Sequence, residues 1–370
     1  MCIVWMRRRG SGLKMELNKK MQQLPNDKNL PIEKLAACFN SKATTYKFYW
    51  LLSIVDALEA RIKSESTMIP KKELFARMIS NAWYTVNYFH VSFGVQDKLQ
   101  SAIESIKNTE GLTIDANKND IIKKLLNTEN SATKQQLFQF NNNVPHWFLS
   151  PWFPGEVKSS IYKKSNQSPF YSPYALHTDF IDVDILWANY FLLNAAFIRD
   201  FCYWNLSLFL QAKNPNVPDI ANKLIKPASR NNLTKQRKFW DIVIDELGSV
   251  NCIYTNRELT KGDFAVEHFV PYNFVSHDLM WNLIPADKSF NSSKSDKLPV
   301  FNKYFEPFFE LQLLGFKIVR DKQPRNKGLE DYLSIYTDIE NAEVGVLKEK
   351  FKNTIQPLIT IAANNGFEYL

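Results

Sequence analysis

The chain has 370 residues, of which 45% are hydrophobic and 23% charged, and its formal net charge is +8. A chain of this length and composition is typical of a soluble globular protein with two or three domains and a substantial core. Aromatic residues make up 14%, and there are only 11 glycines. This pairing predicts mainly helices packed by large side chains and argues against a glycine-punctuated all-β fold. The basic excess favours a polyanionic partner, because each phosphate that a protein neutralises releases counterions.

The four cysteines, Cys2, Cys38, Cys202 and Cys252, are widely scattered along the chain. They form no C-x-x-C pair, which argues against a zinc knuckle or ribbon. Isolated thiols in a chain of this length are typical of a reducing compartment, and we therefore expect a cytoplasmic protein.

Helical patterns dominate the N-terminal part of the chain. Residues 1–20 are expected to be a disordered extension, or a region whose start is assigned too early, with Met15 as the natural start, because a short apolar run comes before the basic residues. A helical domain is predicted over 21–150. Its helices are expected at 41–63, 70–89, 95–107 and 118–128, from cap residues and apolar periodicity.

The region 151–245 is predicted to contain an aromatic-rich loop and central helices. Proline and aromatic residues are dense over 143–175, which indicates a long structured loop. Residues 185–210 are strongly apolar, but Arg199 and Asp200 interrupt the run near its middle, so a buried helix or helix pair is expected and no membrane association. A further helix is predicted to begin at Ser229 or Thr234 and to end near Gly248.

A basic run lies at the start of that last helix. Its Arg230, Lys235, Arg237 and Lys238 are candidates for contact with a nucleic-acid backbone. A solvated helix face explains the same charges equally well, and the sequence leaves the two interpretations open.

The segment 246–305 has the order strand, turn, strand, loop, helix. "NCIYT" and "FAVEHFV" are predicted as its two strands, and "SFNSSKSDKLP" as a short helix with a serine-rich cap. A C-terminal helical region over 306–370 follows, with helices expected from "FNKYFEPFFELQLLGFKI" and "AEVGVLKEKFKNTIQPLITIAANNG".

Four polar residues of this segment are expected to converge: Glu267, His268, Asn282 and Asn291. A carboxylate and an amide that leave several waters on the ion suit Mg²⁺. An adjacent neutral imidazole can take a proton from water near neutral pH. Together they predict hydrolysis of a phosphodiester, in which the metal polarises the phosphate.

The segment resembles the HNH nucleases, also called ββα-metal or His-Me finger nucleases, and in particular the HNH domain of the RNA-guided CRISPR nucleases. "VEHFVPYNFV", "WNLIPADKSFN" and "SSKSDKLP" carry the resemblance, and Asn282 and Asn291 follow His268 by 14 and 23 positions. Glu267 stands where many members have Asp or His, which lengthens the ligand arm by one methylene.

The resemblance implies an α+β protein, mainly helical, that carries a ββα-metal (HNH) nuclease core. By the same resemblance, Glu267 and Asn291 would hold one divalent metal, Mg²⁺ or Mn²⁺, and His268 would be the general base. Asn282 would brace the loop, and Lys294 would lie near the phosphate.

The implied function is a metal-dependent endonuclease acting on DNA. The whole chain is similar to long HNH proteins of bacterial anti-phage defence and restriction loci, which implies a neighbouring ATPase or sensor as a partner. Three alternatives stay open: a nucleic-acid-binding or scaffold protein with a degenerate HNH core, an HNH nuclease acting on RNA, and a nuclease of a mobile element.

Overall fold

The computed structural model describes residues 24–40, 43–64, 66–167, 171–226 and 232–370. They form two compact units. The N-terminal unit comprises the described residues up to 88 and residues 92–213; the C-terminal unit comprises 89–91 and the described residues from 214 onward. The expectations for residues 1–20, for Ser229 as a cap and for Arg230 as a nucleic-acid contact lie outside the described residues.

Helices make up most of the N-terminal unit. They are α1 (Ile32–Ala37), α2 (Tyr46–Ala60), α3 (Lys71–Asn87), α4 (Lys98–Glu110), α5 (Lys118–Asn127), α6 (Ser131–Phe138), α7 (Val144–Phe148), α8 (Lys158–Gln167), α9 (Ile185–Leu193) and α10 (Ala195–Lys213), with a 3-10 turn at Gln139–Asn142. Strands β1 (Met68–Pro70), β2 (Tyr174–Leu176) and β3 (Phe180–Val183) form an antiparallel sheet in the order β1-β3-β2. The helices predicted in this part of the chain are thereby confirmed.

The apolar stretch at 185–210 is the expected helix pair, α9 and α10. Arg199 of α10 binds two carboxylates of α2: its guanidinium lies 2.7 Å from Asp56 and 2.9 Å from Glu59. No helix among the described residues is long and apolar enough to cross a membrane.

The prediction of a long loop over 143–175 was wrong in part, because α7 and α8 lie within it. Pro145 does not prevent α7 from forming, since it stands in the first turn, where a backbone N–H has no helical acceptor. The strand β2 begins at Tyr174, near the end of the same region. The Tyr174 hydroxyl accepts a hydrogen bond of 2.9 Å from the Trp50 indole.

The C-terminal unit combines three long helices with short strands. Its helices are α11 (Thr234–Leu247), α12 (Tyr272–Val275), α13 (Lys288–Lys294), α14 (Phe301–Lys322) and α15 (Val344–Asn364), and its strands are β4 (Val250–Asn251), β5 (Glu258–Leu259), β6 (Ala265–His268) and β7 (Leu283–Ala286). Short 3-10 helices occupy Ile220–Lys223, Met280–Asn282 and Lys327–Ser334. The fold is α+β and mainly helical, as expected.

The strands predicted at "NCIYT" and "FAVEHFV" do not pair with each other. The strand β6 pairs with β7, with Glu267 opposite Ile284 and His268 opposite Leu283, whereas β4 pairs with β5 over only two residues. A tight turn closes the β4–β5 ladder, in which the Asn256 N–H donates to the Cys252 carbonyl. "VEHFVP" therefore begins in the first strand of the β6–β7 hairpin and not in its second.

The helix α14 and the residues after it support this hairpin from behind. The buried Gln312 amide donates to the carbonyls of Met280 and Leu283, at 3.2 and 2.9 Å. Its oxygen accepts a hydrogen bond of 2.6 Å from the Tyr332 hydroxyl. The Trp240 indole of α11 also donates to Leu283, at 3.1 Å. The helical region after residue 305 thus completes the core on which β7 rests.

The contact between α11 and α14 depends on a glycine. A Cβ added to Gly315 would lie 2.9 Å from two ring atoms of Trp240. We expect Gly315→Ala to lower the free energy of unfolding, because overpacking costs about 1–3 kcal/mol and outweighs the roughly 1 kcal/mol of helix propensity gained. Urea unfolding followed by tryptophan fluorescence measures the change.

Gly345→Ala is the matched control for this substitution. Gly345 lies in the first turn of α15, and a Cβ there meets nothing within 4 Å. We expect its urea midpoint to equal or exceed that of the wild type. A Gly315→Ala protein as stable as the Gly345→Ala protein would contradict the packing described.

Candidate active site

The β6–β7 hairpin and α13 bring the predicted site residues together. Glu267 and His268 are the last two residues of β6, and α13 carries Asn291. The N-cap of α13 is Asp287, whose carboxylate accepts the N–H groups of Ser289 and Phe290, both at 2.9 Å. The cap is therefore an aspartate and not one of the serines expected from the sequence.

Electrostatic contacts fix the start of α13 as well. The Ser289 hydroxyl donates to the Asp287 carboxylate at 2.5 Å, and the Arg257 guanidinium binds its other oxygen. These contacts, with the Ser289 hydroxyl as the largest cause, hold the pKa of Asp287 well below its usual range. The cap is thus a charged acceptor at neutral pH, which suits a helix N-terminus.

The Asn282 side chain closes the loop between β6 and β7. Its Oδ1 accepts the Val270 N–H and its Nδ2 donates to the Val270 carbonyl, each at 2.8 Å. The side chain is fully buried. It contacts loop backbone and not the cavity, so its contribution to the site is one of support.

A cavity of about 300 Å³ lies at the end of β6. Its wall includes Glu267, His268, Tyr272, Asp278 and Asn291. Two of the three groups expected to act directly, Glu267 and His268, come from the strand, and Asn291 comes from the helix. The hairpin and helix therefore place a carboxylate, an imidazole and an amide around one space.

Lys294 takes a position different from the expected contact with phosphate. Its side chain is fully buried, and its ammonium donates to Glu267 Oε1 at 2.6 Å and to the His268 carbonyl at 3.0 Å. Burial raises the pKa of the Glu267 carboxyl, and the Lys294 charge opposes that rise. Lys294 therefore orients and partly neutralises Glu267.

His268 has a carboxylate partner that the sequence reasoning missed. Its Nε2 lies 3.0 Å from Asp278 Oδ1, and the ring packs edge-on against Tyr272 at 5.5 Å between centroids. Asp278 follows His268 by ten residues on the loop between the strands. The available signal was an acidic residue, Asp278, in the loop that follows β6. This signal could not be used, because the path of the loop depends on β7, which the sequence reasoning did not recognise as a strand.

The basic run divides into exposed and internally bonded residues. Lys235 and Lys238 are exposed and line a groove of about 1620 Å³ that also includes Tyr272 and Asp278 of the cavity wall. Arg237 instead donates to the Phe264 carbonyl at 2.7 Å, and its guanidinium lies 4.8 Å from the centre of the Phe264 ring. Arg237 therefore ties α11 to the start of β6.

The donor set at the cavity suits a hard divalent cation. Within the described ranges, no group of three or more His, Cys, Asp or Glu side chains is placed to hold a metal ion. Glu267 and Asn291 offer one carboxylate and one amide oxygen on the same cavity wall. Mg²⁺ is commonly bound by one or two such oxygen ligands while it keeps several waters, and Mn²⁺ accepts the same oxygen ligands. A cation beside the nearly buried Glu267 would also offset the cost of its desolvation.

Comparison with known proteins gives one family match. Residues 252–300 match a family model described as HNH endonuclease. The matched segment contains the β6–β7 hairpin, α13 and the cavity residues named above, and the match supports an HNH domain in this part of the chain. An HNH domain indicates nuclease activity in general and a divalent metal as cofactor. No curated protein and no solved structure matches the chain.

The bonds of Asn282 generate a prediction about stability. Asn282→Ala leaves the buried N–H and carbonyl of Val270 without their partner, and each unsatisfied group costs about 1–3 kcal/mol. We expect a clear fall in the urea midpoint of the C-terminal unit in metal-free buffer.

Asn291→Ala serves as the control in the same buffer. Its side chain lies on the cavity wall and is partly exposed, so we expect a change within about 0.5 kcal/mol. Equal stability of the Asn282→Ala protein and the wild type would refute the bracing role.

Proposed function

We propose that this protein is a divalent-metal-dependent endonuclease that hydrolyses phosphodiester bonds in DNA. One observation carries the proposal: Glu267, His268 and Asn291 line a single cavity built from a β-hairpin and a short helix. The match of residues 252–300 to the HNH endonuclease model supports it.

His268 is assigned the role of general base. A water molecule in the cavity attacks the phosphorus and gives a proton to the imidazole of His268, while the bond from phosphorus to the leaving oxygen breaks. A neutral imidazole suits this step because it can take a proton from water near neutral pH. The proton that it accepts is later released to solvent, and the leaving oxygen takes a proton from water.

Glu267 and Asn291 are assigned to the metal. They would hold a divalent cation, Mg²⁺ or Mn²⁺, which would supply polarisation of the phosphate and stabilisation of charge on the leaving oxygen. Lys294 opposes the rise in the pKa of Glu267 that burial causes and directs its carboxylate, through the 2.6 Å contact between them. Asn282 supports the loop that carries the cavity wall.

DNA is the proposed substrate. The net charge of +8 favours a polyanion, and Lys235 and Lys238 line the groove that shares two residues with the cavity. Contacts between such lysines and phosphates would position a duplex without reading its sequence. Arg230 lies outside the described residues and is proposed as a further phosphate contact from its place in the sequence alone.

We extend the proposal to a role in bacterial anti-phage defence or restriction, in the cytoplasm, beside an ATPase or sensor protein encoded nearby. This role is carried only by the resemblance noted in the sequence, since the family match covers residues 252–300 alone. The isolated cysteines support the compartment.

Cleavage of plasmid DNA tests the proposed activity. Purified protein is expected to nick or cut plasmid DNA with Mg²⁺ or Mn²⁺ and to be inactive with a chelator. His268→Ala should lower the rate by about 10²–10⁴-fold, which is the usual contribution of a general base. His177→Ala, which removes a histidine of the N-terminal unit stacked on Phe180, should retain wild-type activity.

The same assay separates the alternatives. Faster cleavage of RNA than of DNA of matched length would identify RNA as the substrate. Wild-type protein that cleaves neither nucleic acid and shows no saturable metal binding by calorimetry would favour a binding or scaffold role. Equal rates for wild type and His268→Ala would contradict the assignment of the base.

A further inference from the structure

We infer that Asp278 is the positioning residue of the general base. It holds the Nε2–H of His268 and thereby leaves Nδ1 as the nitrogen that accepts the proton of the attacking water. The inference rests on the proposed function, since it assigns a role to a residue of the same cavity. It adds a side chain that neither the sequence pattern nor the family match singled out.

The contact between the two side chains is short and shielded. Nε2 of His268 lies 3.0 Å from Asp278 Oδ1, and the two side chains are only 13% and 19% exposed. An ionised carboxylate only accepts hydrogen bonds, so the ring nitrogen that faces it carries the proton. A neutral imidazole has one N–H, and its other nitrogen, Nδ1, must then be the acceptor.

Asp278 is held in place by contacts that do not involve His268. Its carbonyl accepts a hydrogen bond of 3.0 Å from the Gln236 amide of α11. Two residues further on, the Met280 N–H donates to Asp331 at 2.9 Å. Both supports come from elements outside the hairpin, so the carboxylate is presented to His268 by an independently fixed loop. Catalytic geometry of this precision needs such a supporting layer.

The turn that leads into this loop is also unusual. Ser276 ends α12 with φ +58, a left-handed conformation that a residue with a side chain adopts at a cost. The turn directs the chain from α12 back towards the end of β6. Asp278 follows this turn and lies within hydrogen-bonding distance of His268, ten positions earlier in the chain.

Asp278 as a metal ligand is the competing role. Its carboxylate lines the same cavity as Glu267 and Asn291. The contact of 3.0 Å between Asp278 Oδ1 and His268 Nε2 is the observation behind the positioning role. The two roles differ in their kinetic effect: loss of a ligand weakens metal binding, whereas loss of a positioning contact lowers the turnover at saturating metal.

The first experiment compares Asp278→Ala with wild type in plasmid cleavage at saturating Mg²⁺ or Mn²⁺. We expect kcat to fall by about 10–100-fold, the usual effect of removing an outer-shell partner. KM for DNA and the calorimetric Kd for Mn²⁺ should stay within about twofold, since neither is set by the tautomer of His268.

Asp296→Ala is the control that removes one negative charge from the cavity without removing the contact with His268. Asp296 lines the same cavity, and the structure gives it no bond to His268. An equal fall of kcat in both variants would overturn the inference, because the cause would then be the lost negative charge. A rise in the Mn²⁺ Kd of tenfold or more in Asp278→Ala, with kcat restored at saturating metal, would overturn it in favour of a metal ligand.

The second experiment reads the tautomer directly and needs no cleavage. Long-range ¹H–¹⁵N correlation spectra of metal-free protein labelled at its five histidines are recorded at a pH where the rings are neutral. The His268 signals are identified by their absence in His268→Ala. We expect the Nε2–H pattern in the wild type and a mixture of both tautomers in Asp278→Ala.

The spectra also separate failure of the inference from failure of the proposed function. A wild type that cleaves no nucleic acid refutes the function, and the spectra still decide on Asp278. Loss of the Nε2–H preference in Asp278→Ala upholds the positioning contact. An unchanged tautomer pattern in Asp278→Ala refutes it, whatever the activity of the wild type.

Discussion

The two hydrogen bonds between Asn282 and the backbone of Val270 are the constraint on which the candidate site depends. They join the residue just before β7 to the second residue after β6 and so fix both ends of the intervening loop. Asn282 reaches the loop from a position that α11 and α14 support through the neighbouring Leu283 carbonyl. The loop is therefore closed from the hairpin and braced from the helical core. The geometry of the cavity wall therefore depends on the hairpin and on the helices α11 and α14.

Charge burial is the second organising feature. Glu267 is nearly buried, and its carboxylate forms an ion pair with the fully buried ammonium of Lys294. Removing one member of such a pair leaves an uncompensated charge in a low-dielectric interior, which is strongly destabilising. Burial raises the pKa of Glu267, and the Lys294 charge opposes this rise while it holds the carboxylate in one orientation at the cavity. A nearby divalent cation would meet a ligand that is already oriented.

The sequence predicted the helices of both units, and the structure brings the expected Glu267, His268 and Asn291 to one cavity, because apolar periodicity and motif spacing are local signals. It failed where tertiary context decides. The strand β7, "LIPA", contains Pro285 and was read as loop, although it is buried between β6 and the helical core. Lys294 was expected to face phosphate, since nothing local distinguishes a buried lysine from an exposed one. Asp278 was missed because its contact with His268 requires the turn at Ser276 and the support from Gln236.

We propose that the hairpin and α13 present Glu267 and Asn291 to one divalent cation beside His268. Crystals of the protein grown with Mn²⁺, with data collected at the manganese absorption edge, show whether they do. We expect one anomalous peak between the Glu267 carboxylate and the Asn291 side-chain oxygen, and no such peak in crystals of Glu267→Gln. A protein that cleaves DNA with Mn²⁺ but shows no peak there, or shows the ion held by other residues, would contradict the claim.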